Sequence, residues 1–430
     1  RERIALGGES DEPIVGDRDQ VLAFELANHL RHCRAADIET LSDSGLDDLH
    51  VVFGQFEDRL AVLLEGRVVL GRLVGHRANL PRGAAGDPGV PCPAMSAPIG
   101  ILVNPRSGGD VRRAVAAAGR STIEDKTSIV RRLVLGARAA GIRDIVVNHD
   151  PHQIVRRATE TIRDVNLIKV TEELTFTELD STRAAEAMRV AGCAAVAVLG
   201  GDGTNRAVAK GWPGIPVIPV STGTNNAFPE FIEPTVAGTA LGLVANDVVD
   251  LAAVARPAKL VHVTVEGAED LHHTDPDIAL IDAVAVADPY VGSLELFDPA
   301  TMRLAVLTRA DPAAIGFSSV GGLIEPLDAS EDAGLLVRFV PAGPGADIVV
   351  HAPTAPGHHD PIGVSEIRRL AFGESVRIDG LVLLAFDGER KRRVHAGQTA
   401  QLEIRRDGPM VIDPHLVMQQ GRATFVRPGR

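Results

Sequence analysis

Aromatic side chains make up only 3% of this 430-residue chain, so its apolar interior has to be assembled from Ala, Val, Leu and Ile. That favours α/β layering over an aromatic-rich binding surface. Cysteine is also scarce: Cys33, Cys92 and Cys193 are scattered, with no CxxC pair. Neither a disulfide framework nor a zinc site is expected, and a reducing cytoplasm fits best. No uncharged apolar stretch approaches the ~18 residues of a membrane span, and the opening residues, RERIALGGES, do not read as a signal peptide. Positive charge is in deficit, with 44 Lys and Arg against 57 Asp and Glu and a formal net charge of −13. The longest basic run, Arg390-Lys391-Arg392-Arg393, reads as a solvated face, so nucleic acid is not an expected partner. Two phosphate-binding signatures are missing as well, GxxxxGK[ST] and GxGxxG after a strand. Any phosphate bound here is held by another cradle.

That cradle is sought in residues 194–228, AAVAVLGGDGTNRAVAKGWPGIPVIPVSTGTNNAF. Residues 194–199 are small or β-branched and uncharged, the pattern of a strand buried on both faces of a parallel sheet. It runs into Gly200-Gly201-Asp202-Gly203-Thr204. These glycines leave no Cβ to keep an anion away, so successive N–H groups are able to face phosphate oxygens. Residues 205–210 read as a short helix whose positive end points back at the same place. A second strand, 215–220, ends in Ser221-Thr222-Gly223-Thr224-Asn225-Asn226. Adjacent strands that each deliver a small polar loop at their carboxyl ends fit the ligand crevice of open α/β sheets.

Residues 1–78 form an extension with a helical pattern at 21–30 and a strand pair at 60–64 and 67–74. Residues 79–97 read as a Pro/Gly linker, and residues before Met95 are expected to be dispensable. From 98 to 256 strands (99–104, 144–147, 165–170, 194–199) alternate with helices (126–140, 151–163, 177–191), which predicts βαβ units and a parallel sheet. The first strand opens into Pro105-Arg106-Ser107-Gly108-Gly109, and Asp110 is placed to cap a following helix. After a helix at 234–245 the texture changes. Residues 257–413 carry short strands (259–266, 277–287, 335–340, 347–351, 381–386, 401–404) and predict a β-rich sandwich with a Gly/Pro/His-rich loop at 340–363, followed by a tail at 414–430.

LGGDGTN, with VNPRSGG upstream, resembles the superfamily that contains NAD kinases and diacylglycerol kinases. VNPRSGGDVRR, SIVRRLVLGARAAG, LGGDGTNRAVAKG and STGTNNAFP together resemble its AcoX branch, the ATP-NAD kinase-like proteins of acetoin-catabolism operons. The resemblance spans 98–413. It implies an N-terminal α/β domain and a C-terminal β-sandwich around a nucleotide, with ATP and Mg2+ as the expected donor and cofactor. By position it implicates Gly200, Gly201, Gly203, Thr204 and Asn205, with Asn104 and Ser107 from the first loop and Thr222, Gly223, Thr224 and Asn225 from the second. Asp202 is the implied catalytic residue, either accepting the hydroxyl proton or orienting the metal. NAD is the first-choice acceptor and NADP its product. A lipid or other small alcohol is one alternative, and a non-catalytic nucleotide-binding regulator of acetoin metabolism is another. NAD kinases carry an Asn-Glu pair where this chain has Ile281-Asp282, so Asp282 is the implied acceptor contact and Ile281 is expected to weaken NAD recognition. Phe386-Asp387-Gly388-Glu389 resembles a second acceptor-side turn, although an Asp-Gly hairpin turn explains it equally well. A homo-oligomer is expected.

The remaining chemistry-bearing residues have plainer readings. His351, His358, His359 and Asp360 match no zinc spacing and read as a solvated loop. Cys193 reads as a small buried residue. Arg206 and Lys210, one and two turns behind the cradle, are candidates to neutralise phosphate charge.

Overall fold

The computed structural model describes residues 49–52, 59–64, 67–72, 96–107, 121–170, 173–222, 226–267, 275–287, 300–355, 357–388 and 390–426. The helical pattern at 21–30, almost all of the linker and the Asp110 cap lie outside them. The chain divides into two compact units, residues 1–94 and 95–430. In the first, β1 (Leu49–Val52), β2 (Arg59–Leu64) and β3 (Arg67–Arg72) form an antiparallel meander.

The second unit begins with β4 (Ile99–Val103), α1 (Ile123–Ala139), β5 (Asp144–Val147), α2 (Ile154–Thr159), β6 (Asn166–Lys169), α3 (Leu179–Val190), β7 (Ala195–Leu199), α4 (Asp202–Gly211), β8 (Pro216–Val220), α5 (Pro234–Ala245) and α6 (Leu251–Val254). Strands β6-β5-β4-β7-β8 are parallel neighbours in that order, as alternation of strands and helices predicted. Successive residues of a strand face opposite layers. Ala195, Ala197 and Leu199 accordingly join α1 and α5 in one core, while Val196 and Val198 join α3 and α4 in another. Two glycines allow α1 and α5 to touch. A Cβ on Gly136 would lie 2.1 Å from the Thr235 carbonyl oxygen, and one on Gly238 would lie 1.9 Å from that of Leu133.

The chain then leaves through β9 (Ala255–Pro257) into β10 (Leu260–Gly267), β11 (Asp277–Ala279), β12 (Asp282–Val286), β13 (Met302–Leu307), α7 (Phe317–Ile324), β14 (Gly334–Val340), β15 (Ile348–Ala355), β16 (His358–Leu370), β17 (Ser375–Asp379), β18 (Val382–Phe386), β19 (Arg390–Val394) and β20 (Gln398–Arg405). A four-stranded sheet, β11-β10-β20-β17, packs on a seven-stranded one, β15-β16-β14-β13-β12-β18-β19. All assigned pairings in both are antiparallel. The two sheets share the core of Val261, Val263, Ala283, Val306, Leu384 and Leu402. The other face of β12–β14 is covered by α7 through Phe317 and Val320, which is why these strands are mostly apolar on both faces, with Arg303 and Arg338 as charged interruptions in β13 and β14.

Two expectations are corrected. Most of the Gly/Pro/His-rich stretch is the hairpin β15–β16, not a loop. Pro353 lies on β15, an edge strand, where no ladder donor is needed on the outer side, and His351 and His358–Asp360 lie in paired strands. The chain also returns to the first domain at its end. β21 (Met410–Ile412) inserts between β8 and β9, and α8 (Pro414–Gly421), capped by Asp413, buries Val417 in the α/β core. Residues 414–421 are therefore part of that core and not a tail. No helix among the described residues is long and apolar enough to cross a membrane.

Candidate functional site

Three loops leave the carboxyl ends of neighbouring strands β4, β7 and β8, and their side chains are bonded to one another. From the first loop, Asn104 Nδ2 donates to Thr204 Oγ1 at 2.8 Å, and Ser107 Oγ lies 3.0 Å from Thr222 Oγ1. From the β7 loop, Asp202 accepts N–H bonds from Ala227 at 3.1 Å and from Phe228 at 2.8 Å. The second loop is closed on itself, since Ser221 N donates to Glu230 O and Glu230 N to Pro219 O. Gly223, Thr224 and Asn225 lie outside the described residues.

Local physical reasons fix this arrangement. A Cβ on Gly200 would lie 2.5 Å from the Thr204 side chain, and one on Gly201 would lie 2.9 Å from Asn226 Oδ1. The glycines thus let the second loop and the first turn of α4 close on the strand end. Helix α4 begins at Asp202, earlier than the sequence pattern suggests, with Gly201 as its N-cap and no side-chain cap. The positive end of its dipole is left for an anion.

Two cations that the sequence reading did not single out support the same loops. Lys126 is 1% exposed, and its Nζ donates to the carbonyls of Asn104 at 3.2 Å, Pro105 at 2.7 Å and Ser107 at 2.7 Å. It places a positive charge directly beneath the first loop. The signal was present in the sequence, because Lys126 falls on the stripe of buried Val130, Leu133 and Ala137, where a lysine needs a reason. Arg309, just after β13, reaches from the β domain to the second loop. Its Nη1 donates to Ala227 O at 2.9 Å, and the guanidinium stands 5.7 Å from the Phe228 ring centre. Burial holds its pKa below the usual value, opposed first by the charge of Asp202 and then by Glu230, Asp328 and Asp311. No motif announces it.

Residues 99–249 match the family model of the ATP-NAD kinase N-terminal domain, and residues 259–407 match that of the acetoin catabolism protein X C-terminal domain. Acetoin catabolism protein X of Cupriavidus necator is 34% identical over 310 residues, covering 69% of this chain and 85% of that protein. This chain belongs to the acetoin catabolism protein X family. Similar solved structures include yeast NADH kinase complexed with NADH, at TM-score 0.44 and 12% identity over 89% of this chain and 95% of that one. A putative diacylglycerol kinase from Bacillus anthracis gives TM-score 0.39 and 12% identity over 75% and 99%. The two family models and the Cupriavidus necator relative bear out the resemblance read from the motifs, and the sheets described above bear out the fold class of an α/β domain followed by antiparallel β sheets.

Within this member of the family, several candidate residues lie away from the crevice. Asn205 is buried and turned back, with Nδ2 on the Gly201 carbonyl at 3.0 Å, so it braces the turn without facing a phosphate. Arg206 does not neutralise phosphate either. It is 0% exposed and bonds Asp277 and the Ile278 carbonyl, with Glu178 at 3.3 Å and Asp387 at 4.0 Å. Lys210 pairs with Asp277 at 3.2 Å. Asp387 is fully buried and accepts N–H bonds from Leu280 at 3.0 Å and Ile281 at 2.8 Å. Burial holds its carboxyl above the usual value against the pull of Arg206 and these donors. An acid so enclosed braces the β11–β12 junction. Asp282 is buried at the head of β12, and Ile281 is 1% exposed, packed with Phe228, Leu260 and Leu280. The side chain of Ile281 therefore meets apolar neighbours. The described residues contain no group of three His, Cys, Asp or Glu side chains placed to hold a metal.

Proposed function

We propose that this chain is a phosphotransferase that uses ATP to phosphorylate an alcohol, with the adenosine-ribose 2′-hydroxyl of NAD as the first-choice acceptor. The observation that carries the reading is the convergence of the three loops at the carboxyl ends of three central strands, with Asp202 between them and Lys126 and Arg309 on either side. Phosphoryl transfer demands mainly positioning and charge neutralisation. The open first turn of α4 and the hydroxyls of Ser107, Thr204 and Thr222 bind phosphate oxygens, while Asn104 holds the first loop against Thr204. Lys126 and Arg309 offset the negative charge from below and from the facing domain. Asp202, fixed by two backbone N–H groups, receives the proton of the attacking hydroxyl. The donor set is oxygen only, a carboxylate and hydroxyls, which suits Mg2+. In the alternative role for Asp202, its carboxylate would hold such an ion instead of taking the proton, and the ion would neutralise charge on the bound triphosphate.

A second reading is favoured by the same Asp202 contacts. Its carboxylate is already engaged by the second loop, which suits a nucleotide-responsive regulator whose crevice closes without turnover. The role in acetoin catabolism given in the name of the Cupriavidus necator relative would then be regulatory. The deciding experiment incubates the purified protein with ATP and Mg2+ in the presence of NAD, NADH, diacylglycerol or acetoin-derived alcohols, and scores phosphorylated product. NADP formation is the expected result. Product from a lipid or alcohol alone moves the acceptor, and nucleotide binding with no product from any acceptor assigns the regulator.

A further inference from the structure

Three of the described phenylalanines, Phe176, Phe231 and Phe425, are exposed, and of these the one with a positive φ is Phe176. It is 60% exposed and has φ = 57°, a left-handed backbone that a bulky residue adopts only when its surroundings impose it. Four hydrogen bonds impose it here. Asp180 Oδ1 accepts from the Thr175 N–H and from Thr175 Oγ1, both at 2.7 Å, and Asp180 Oδ2 accepts from the Phe176 N–H at 2.8 Å. The fourth comes from the phosphate-side loop itself, where Arg106 Nη1 donates to the Phe176 carbonyl at 2.8 Å. The constraint therefore fixes the backbone from which an exposed aromatic side chain departs, and ties that backbone to the residue next to Ser107.

We propose that Phe176 is the platform on which the base of the bound nucleotide stacks, a site that rests on the nucleotide reading given above. Loop 105–107 would hold phosphates at one end of the ligand, and the backbone carbonyl of Phe176 is bonded to the Arg106 side chain of that same loop. Its surroundings are those of a planar, partly polar ligand and not of a broad apolar partner. Thr175, Thr177 and Glu173 are exposed around it, and Leu179 extends the apolar surface by a single side chain. Stacking on one ring is tolerant of base identity, so the site supplies affinity for a nucleobase and leaves discrimination among bases to other groups.

The test compares binding of Mg2+-ATP with binding of inorganic tripolyphosphate, which has the charge and no base, to the full-length protein by calorimetry. Wild type is expected to prefer ATP. Phe176→Ala should weaken ATP about tenfold, the usual effect of removing one stacking ring, and leave tripolyphosphate unchanged. Phe176→Trp should keep ATP affinity, and its emission should be quenched by ATP but not by tripolyphosphate. Trp212, the only native tryptophan, supplies the wild-type background. Equal ATP affinity in wild type and Phe176→Ala, with tripolyphosphate still bound, overturns the stacking platform and spares the phosphate site. If wild type binds neither ligand, the nucleotide reading falls and this inference with it.

Discussion

Asp202 carries two duties that pull a substitution in different directions. From its place between two glycines the sequence offers it no structural task, yet in the fold it is the first residue of α4 and the anchor of Ala227 and Phe228. Replacement by Asn keeps one acceptor oxygen and turns an NH2 group toward a backbone N–H. Asp202→Asn should therefore cost roughly 1–3 kcal/mol of stability, the usual penalty for a mispaired buried donor. If it also takes the proton, turnover of NAD should fall about 10² to 10⁴-fold. Steady-state rates and denaturant melts on the same preparation separate the two duties. Near-normal turnover with the stability loss alone would leave Asp202 a brace and end its catalytic assignment.

Short connecting elements are where chemistry and sequence legibility part company. The strands at 99–103, 195–199 and 216–220 were legible because strands buried on both faces read as apolar runs. Helix α1 starts at Ile123 and not at 126, because the Thr122–Asp125 capping box precedes the apolar stripe. Strand β16 was hidden by the histidines and prolines of its hairpin, and Arg309 by a contact that spans 82 positions in the chain, which no local pattern encodes. Lys259 shows the same limit. Its Nζ donates to the carbonyls of Asp328 and Glu331 at 3.0 Å and of Ala333 at 2.9 Å, so the residue just before β10 pins the segment leading into β14. Burial, reinforced by Arg406 and Arg309, lowers its pKa from 10.5 to about 8. Between those two values the unfolded chain holds the extra proton, so the stability set by this group rises with pH and is lost as pH falls through about 8. The stability difference between wild type and Lys259→Met should move in favour of wild type by up to about 3 kcal/mol from pH 7 to pH 10. Urea melts at the two pH values measure it, and an unchanged difference would mean that the three carbonyls keep the ammonium charged throughout.

The Arg309 arm of the crevice depends on the α/β and β domains of residues 95–430 staying in register, and two further kinds of tie help secure that register. The backbone crosses between the domains at β9 and again at β21, which lie side by side in one sheet. The second tie is Arg206, whose guanidinium gathers Glu178 from the α/β side, and Asp277 and Asp387 from the β side, over the Phe386 ring at 5.4 Å. A buried ion cluster is weak evidence of net stabilisation, but removing its central cation takes the partner from Glu178 and Asp387 and leaves Asp277 with Lys210. Arg206→Met should therefore lower unfolding free energy by about 3–5 kcal/mol, although Arg206 touches none of the loop atoms proposed to bind phosphate. Adding Asp277→Asn and Asp387→Asn to Arg206→Met should restore part of that loss, because neutral partners no longer need the cation. Guanidinium melts of the wild type, the single variant and the triple variant decide the point. If the single variant melts with the wild type, the backbone crossings and the other contacts between the domains hold them together without Arg206.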